Sequence, residues 1–280
     1  MNSIQLDKHK IDIYNWAKGG ATGFIGNSIG LILGLLFHLV IARYFGATSL
    51  GIFSLGVSIL TIATIIGALG LDIGVMRAIS SYLAVEEDLK VVNAIKSSLI
   101  LSLLISSIIS LFLIWRSEWI SNNIFHKDSL TGILQIFAFS LPLFVLLKVL
   151  GGILQGFKDI WTQTFVQQVI VPFARLIGLY VMLAFLKERS IYGLALVVVI
   201  STLIGIEISV IYVSKKIKHH INRWFNTVNI NPDKLINFSL QILIMQIVWE
   251  LTNGAEILIL GVYSTSTDVG IFSSAYKIGM

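Results

Sequence analysis

The sequence predicts an all-α membrane protein, and three observations carry that prediction. Of 280 residues, 56% are hydrophobic and only 12% are charged, with a mean hydropathy of +0.87. A soluble domain of this size needs more charge to cover its surface. The apolar residues are gathered into long blocks, such as 29–42, 97–115 and 191–213, separated by short charged stretches. Blocks of about 20 residues match a hydrocarbon core roughly 30 Å thick at about 1.5 Å of helical rise per residue. They are too long for barrel strands and do not alternate in polarity, which leaves helices.

Taken in chain order, the expected spans are 20–43, 50–72, 92–115, 130–154, 163–186, 191–214 and 235–262, and 268–280 opens an eighth. Residues 1–18 are too polar for a signal peptide and read as a cytoplasmic lead-in, with Ile11, Ile13, Tyr14 and Trp16 suited to an interface. The chain then divides into that lead-in, a first six-helix bundle over 19–214, a basic cytoplasmic linker over 215–234, and the start of a second, truncated bundle over 235–280.

Lysine and arginine set the orientation. With the N-terminus in the cytoplasm, eleven of them fall on inside segments and five outside, and the KKIKHH run at 215–220 carries much of the bias. The expectation is a multi-pass protein of the cell membrane with a cytoplasmic N-terminus. The net charge of +5 lies mainly between apolar blocks, so it reads as a topology signal and not as a nucleic-acid footprint. The absence of cysteine excludes disulfides, thiolate catalysis and cysteine metal sites. The sequence shows no Walker loop, no HExxH and no Asp-rich cluster, so no enzyme, catalytic residue, cofactor or metal is expected.

Residues 40–59 (VIARYFGATSLGIFSLGVSI) and 259–278 (ILGVYSTSTDVGIFSSAYKI) align without a gap. Gly51-Ile52-Phe53-Ser54 falls on Gly270-Ile271-Phe272-Ser273, and Tyr44 falls on Tyr263. Both segments occupy the end of one span, a short loop and the start of the next. An offset of about six spans preserves orientation, so a parallel repeat about an axis along the membrane normal is expected. The chain then holds one six-helix half and the first part of a second. It reads as a fragment, or a truncated product, of a protein near twice the repeat length.

Three stretches bring a family into view. Residues 42–80 carry a Gly-x-x-x-x-Gly loop and a Gly-Leu-Asp-x-Gly-x-x-Arg tail; 141–159 end in a Leu-Gln-Gly pattern; 251–278 hold the second GIFS segment. In these the chain resembles the polysaccharide transporter (oligosaccharide flippase) branch of the multidrug/oligosaccharidyl-lipid/polysaccharide superfamily. The resemblance implies two six-helix bundles around a central cavity. It also implies outward flipping of polyprenyl-pyrophosphate-linked oligosaccharide for cell-surface polysaccharide. The implied partners are the bilayer, that lipid-linked substrate and polysaccharide assembly machinery.

Ionisable groups inside spans are few and costly, so each is a candidate for function. Arg175 lies near the middle of span five, sharing a face with Thr164, Gln168 and Gly178, with Pro172 one turn before it. A kinked, polar, cationic face suits a pyrophosphate, because guanidinium matches phosphate oxygens with two parallel hydrogen bonds. Arg175, Lys148 and Gln168 are therefore the candidate substrate-binding residues, although Lys148 could also snorkel to headgroups. Glu250 and Asn253 share a stripe of span seven and are the candidate ion-coupling pair; the alternative for Glu250 is a packing ion pair with Arg175 or Lys148. Asp72 and Arg77 can form a hinge pair. Gly26, Gly30 and Gly34 give span one a face for close helix approach, either static or sliding. His38 reads as a packed or snorkelling histidine.

The rival within the superfamily is a multidrug or cation antiporter, which needs an acidic cavity where a flippase needs a basic one. A transport-inactive fragment or scaffold is the third reading. A membrane polymerase or ligase would show a large outer loop with clustered catalytic residues, and the longest here, 116–129, is short.

Overall fold

A computed structural model describes residues 3–186, 190–220 and 233–279, with side chains described over 20–184, 190–218 and 236–279. Helix α1 (Ser3–Ala68) contains the first expected span and most of the second. Its apolar part, Gly20–Ala68, has 49 residues, which would measure roughly 73 Å if straight, far more than a bilayer. It breaks at Gly46, where φ 81 and ψ 168 are angles essentially restricted to glycine. The Phe37 and Phe53 rings then lie 6.1 Å apart, whereas a straight helix would separate them by about 24 Å. The chain has folded back on itself, and α1 is a hairpin of two arms.

The second arm ends at Ala68. An uninterrupted span over 50–72, expected from the sequence, is instead broken by Leu69 (φ 50) and Gly70 (φ 69), and α2 (Leu71–Ala84) resumes beyond them. Glycine satisfies two needs at position 70. It takes the left-handed backbone, and it has no Cβ to collide with the Ser239 carbonyl of a neighbouring helix.

Helix α3 (Asp88–Trp119) follows and continues as a π-helical turn, Ile120–Ile124. The expected outer loop over 116–129 is thereby shortened to 125–129. Next come α4 (Leu130–Gly156) and α5 (Ile160–Thr164), a π-helical stretch (Phe165–Ile170), α6 (Val171–Val181) and a further π turn (Met182–Leu186). Then come α7 (Ile191–His220), α8 (Asp233–Tyr263) and α9 (Ser266–Gly279). Helix α7 runs past the expected end of span six and takes in Lys215, Lys216 and Lys218. Residues 221–232 of the basic linker lie outside the described residues, as do Lys187 and Arg189 and the side chains of the lead-in over 1–18, while the linker's last two residues, 233–234, open α8. Among the described residues six helices are long and apolar enough to cross a membrane. With α1 folded in two they give seven passages, and α9 opens an eighth.

Helix α4 is the centre of the bundle, touching α1, α2, α3 and α7. Its Phe137, Ile133, Leu141, Val145 and Ile153 are fully buried. Helices approach it closely where side chains are small. A Cβ at Gly56 would meet Ile133 and Phe137, and one at Gly152 would collide with the backbone of Asp72. Helix α3 presents Ser98, Ser102, Ser106 and Ser110, four residues apart and all buried, and the Ser110 hydroxyl crosses to the Ala138 carbonyl at 2.6 Å. The other three bond to carbonyls of their own helix, so the stripe is close-packed without leaving donors unpaired in hydrocarbon. The outer faces carry exposed Phe, Leu, Ile and Trp side chains, as a lipid-facing surface does.

The repeat is visible as a self-pairing. Thr48 Oγ1 lies 2.9 Å from Thr267 Oγ1, and Ser54 Oγ lies 3.2 Å from Ser273 Oγ. A Cβ on Gly51 would strike Ser266 and Gly270, and a Cβ on Gly270 would strike Ala47 and Gly51. Each pair is separated by 219 residues, the offset of the gapless alignment (270 − 51). Residues that meet their own equivalents mark a local two-fold axis, and both GIFS segments lie at the same end of the bundle. Lys127 adds to this junction from the α3–α4 connection, donating to the carbonyls of Gly261 (2.5 Å) and Ser264 (3.0 Å) at the end of α8. Burial pushes its ammonium below the usual lysine range.

At the opposite end Asp159 caps α5, accepting from the Thr162 backbone N–H at 3.2 Å, and pairs with Lys216 of α7 at 2.9 Å. Burial works against its ionisation. The hydrogen bonds from Lys216 and Thr162 outweigh that and hold the carboxyl below its ordinary value. A depressed carboxylate contributes stability that is present above the unfolded value of 3.8 and is lost as pH falls through the folded one. Asp159→Ala is expected to cost about 1 kcal/mol, the usual loss for a cap. Thermal unfolding of the detergent-solubilised protein should show that gap at neutral pH, and the gap should narrow as pH falls below the unfolded value and through the lower folded one.

Candidate functional site

The two arms of α1, α4, the π–α6 segment, α7, α8 and α9 enclose a cavity of about 1610 Å³. All five residues singled out from the sequence line it: Lys148, Gln168, Arg175, Glu250 and Asn253. It also takes in two that the sequence reading left without a cavity role, His38 and Lys277.

Span one reaches the cavity through its glycines. Gly26 lies against Thr164, and Gly30 lies against Gln168, close enough that a Cβ would come within 2.8 Å of the Gln168 carbonyl. That carbonyl is the one Pro172 cannot bond in the helical pattern, having no N–H. The kink expected at Pro172 takes the form of the π-helical stretch Phe165–Ile170, which ends just before the proline. Such bulges re-aim side chains, and this one carries Gln167 and Gln168 to the cavity wall. Gly34, the third glycine, meets no neighbour and opens onto the cavity.

Gln167 went unnoticed in the sequence. Its amide donates to the Leu147 carbonyl at 2.9 Å and accepts from Gln163 at 2.9 Å, and Gln155 donates in turn to Gln163 at 3.0 Å. This amide ladder ties α4 to span five beside the cavity. Gln155, Gln163 and Gln167, spaced eight and four residues apart, were its trace in the sequence, without a helix partner to give them meaning.

Arg175 donates from Nε to Ser201 Oγ of α7 at 3.3 Å, and the Ser201 hydroxyl donates in turn to the Val198 carbonyl at 2.7 Å. One edge of the guanidinium is thus anchored. Lys148 lies further toward the Asp159 end, donating to Gln246 Oε1 at 3.1 Å and standing 3.6 Å from Asp72 Oδ2. Among the described residues Glu250 pairs with neither Arg175 nor Lys148, and Asp72 does not pair with Arg77, whose guanidinium stacks 4.2 Å over the Phe238 ring. The ion pairs expected from sequence are therefore redistributed: the partner of Lys148 is Asp72, because α2 passes behind α4 at Gly152. Asn253 donates its side-chain amide to the Trp249 carbonyl of its own helix at 2.7 Å, and its backbone carbonyl accepts from the Tyr276 hydroxyl at 2.5 Å.

Among the described residues the lining holds three basic side chains, Lys148, Arg175 and Lys277, and one carboxylate, Glu250. Lys277 comes from α9, inside the second copy of the repeat. A lysine within an apolar span was its sequence signal. The cavity thus gathers donors for an anion from spans four, five and eight, in surroundings that strengthen electrostatic contacts.

Three solved structures show the same fold. The chain superposes on a multidrug resistance MATE family transporter of the MOP superfamily, in an inward-facing conformation. The TM-score is 0.69 at 18% identity, covering 91% of this chain and 61% of the other. Against a MATE protein in complex with MaL6 the TM-score is 0.67 at 17% identity, over 93% of this chain and 65% of that one. Against a MOP superfamily transporter from Pyrococcus furiosus it is 0.66 at 17% identity, again over 93% and 65%. The chain spans less than two thirds of the length of these structures. No curated protein matches it by sequence. The model of the family described as polysaccharide biosynthesis protein matches residues 16–280, nearly the whole chain, and by that match the chain belongs to the polysaccharide biosynthesis protein family.

Proposed function

We propose that this chain is the first half, with the opening of the second, of a membrane flippase that exports polyprenyl-pyrophosphate-linked oligosaccharide for cell-surface polysaccharide assembly. The observation that carries the reading is the cavity's lining: among the described residues it presents Lys148, Arg175 and Lys277 and one carboxylate, Glu250, with Asp72 standing behind Lys148. A pyrophosphate needs such a wall, and the volume of about 1610 Å³ accommodates several sugar rings. The family description points to the same pathway. For the Pyrococcus furiosus protein a binding pocket of reverse polarity is described as suggesting a different function, so pocket charge is a property that bears on function within this fold. In this reading 19–214 is the first bundle, 235–280 begins the second, and the N-terminus and the 215–234 linker are cytoplasmic.

Glu250 favours a second reading. A cavity carboxylate free of Arg175 and Lys148 suits an organic cation, as in a multidrug antiporter. One experiment separates the two. Membrane vesicles of known sidedness carrying the full-length protein are loaded with fluorescent polyprenyl-pyrophosphate oligosaccharide or with a cationic dye. Transfer of the lipid from the cytoplasmic to the outer leaflet is expected, with no dye movement. A cysteine replacing Lys218 in the same vesicles should be labelled from the cytoplasmic side only. Dye export without lipid transfer would establish the antiporter instead.

A further inference from the structure

Asp72 is a buried carboxylate with no part in the reading above. It is 9% exposed and stands at the start of α2, directly after the left-handed pair Leu69–Gly70. Its Oδ2 accepts from Gln246 Nε2 at 3.0 Å and lies 3.6 Å from Lys148 Nζ, while its Oδ1 is buried without a hydrogen-bond partner. Lys148 donates to Gln246 Oε1 at 3.1 Å. The three side chains close a ring that joins α2, α4 and α8. Lys148 and Gln246 line the cavity, and Asp72 stands behind them.

We propose that Asp72 is the resident counter-anion of the cavity. With the cavity empty it holds Lys148 and, through Gln246, latches α8 to the first bundle. An anionic headgroup that draws Lys148 toward itself opens the latch. The proposal rests on the cavity being an anion site.

The geometry supports an exchangeable grip. An ion pair at 3.6 Å is longer than the ~2.7–2.9 Å of a committed charge-assisted hydrogen bond, and Oδ1 gains nothing from the arrangement. A pyrophosphate offers more charge and more acceptor oxygens than one half-satisfied carboxylate, so it competes well for the ammonium. Once Lys148 leaves, Asp72 is a buried carboxylate held by one neutral amide. That state is costly, and it favours separation of α2 from α8. The backbone permits the movement, because the helical ladder is already interrupted at Leu69–Gly70. Gly70 packs against Ser239 and Leu243, so the joint and the latch bear on the same stretch of α8. A neutral or cationic cargo offers Lys148 no substitute for Asp72, and the latch therefore selects cargo by charge.

The 280 residues hold no cysteine, and Ser239 is 1% exposed beneath Gly70, so Ser239→Cys in the full-length protein, with any cysteine beyond these residues replaced by serine, reports the latch through its maleimide labelling rate. Inorganic pyrophosphate is the probe, with chloride at equal ionic strength as control and calorimetric binding measured alongside. Labelling is expected to be slow in the empty protein and to rise about tenfold with pyrophosphate, as loss of a charged hydrogen bond implies. Asp72→Asn should label fast without pyrophosphate and show no response; Asp72→Glu should restore the response. Gln246→Met, which keeps the Asp72–Lys148 pair and cuts only the link to α8, should label fast as well and guards against misfolding of the Asp72→Asn protein. Binding without a change in labelling, or a response that survives in Asp72→Asn or Gln246→Met, overturns the latch and leaves the anion cavity standing. No pyrophosphate binding by the parent protein overturns both.

Discussion

Arg175→Ala is expected to abolish surface-polysaccharide complementation by the full-length protein while leaving its abundance in the membrane unchanged. The guanidinium faces the cavity with one edge fixed on Ser201, so its remaining donors are free for phosphate oxygens. Truncating one partner of a buried, hydrogen-bonded charge pair costs about 2–5 kcal/mol, roughly 30-fold or more in rate. Arg175→Lys should recover only part of the activity, since an ammonium keeps the charge and loses the planar fork. A structural role predicts a different pattern. If Arg175 mainly neutralised Glu250, the alanine variant would be depleted from the membrane and a second change, Glu250→Ala, would restore it. The anchor on Ser201 argues against that rescue. Full complementation by Arg175→Ala would end the substrate-binding role.

The second large effect concerns the junction of the repeats. Thr48→Cys with Thr267→Cys is expected to form a disulfide under mild oxidation, and these 280 residues hold no other thiol to compete for it. The two hydroxyl oxygens are 2.9 Å apart, and backbones that bring them so close are within the reach of a disulfide, whose Cβ atoms sit about 3.8 Å apart. Cross-linking should be nearly complete in the double variant and absent from each single one, as read by peptide mass analysis. If transport requires the two halves to part at this end, oxidation should stop it and reduction should restore it. Absence of the cross-link would refute the self-pairing of the GIFS segments.

Much of the architecture was legible because a bilayer imposes simple rules. A span needs about 20 apolar residues and must satisfy its own backbone, so block lengths alone separate the helices. The repeat was legible for a related reason. Glycines at 51 and 270 are required where the backbones touch, and a gapless offset preserves that requirement. The break at Leu69–Gly70 was harder to see. Gly70 looked like one more glycine in an apolar run, and its left-handed angle follows from α8 passing over it, a neighbour about 170 residues away in the chain. The π-helical stretch before Pro172 is similar, since a proline foretells a disturbed ladder but not which of several repairs the packing selects.

The sequence by itself determined that this is a multi-pass helical protein with an internal parallel repeat, and it singled out the polar and charged residues within the spans, because each costs too much in hydrocarbon to be there without a partner or a task. Only the tertiary structure decided the partners. It set Lys148 against Asp72 instead of Glu250, stacked Arg77 on Phe238, and brought Lys277 from the second repeat to the cavity that Arg175 lines. The physical reason is one of range. Helix periodicity fixes which residues share a face, but which faces meet is set by the rotation and crossing of packed helices, and that depends on every small residue along their contacts at once.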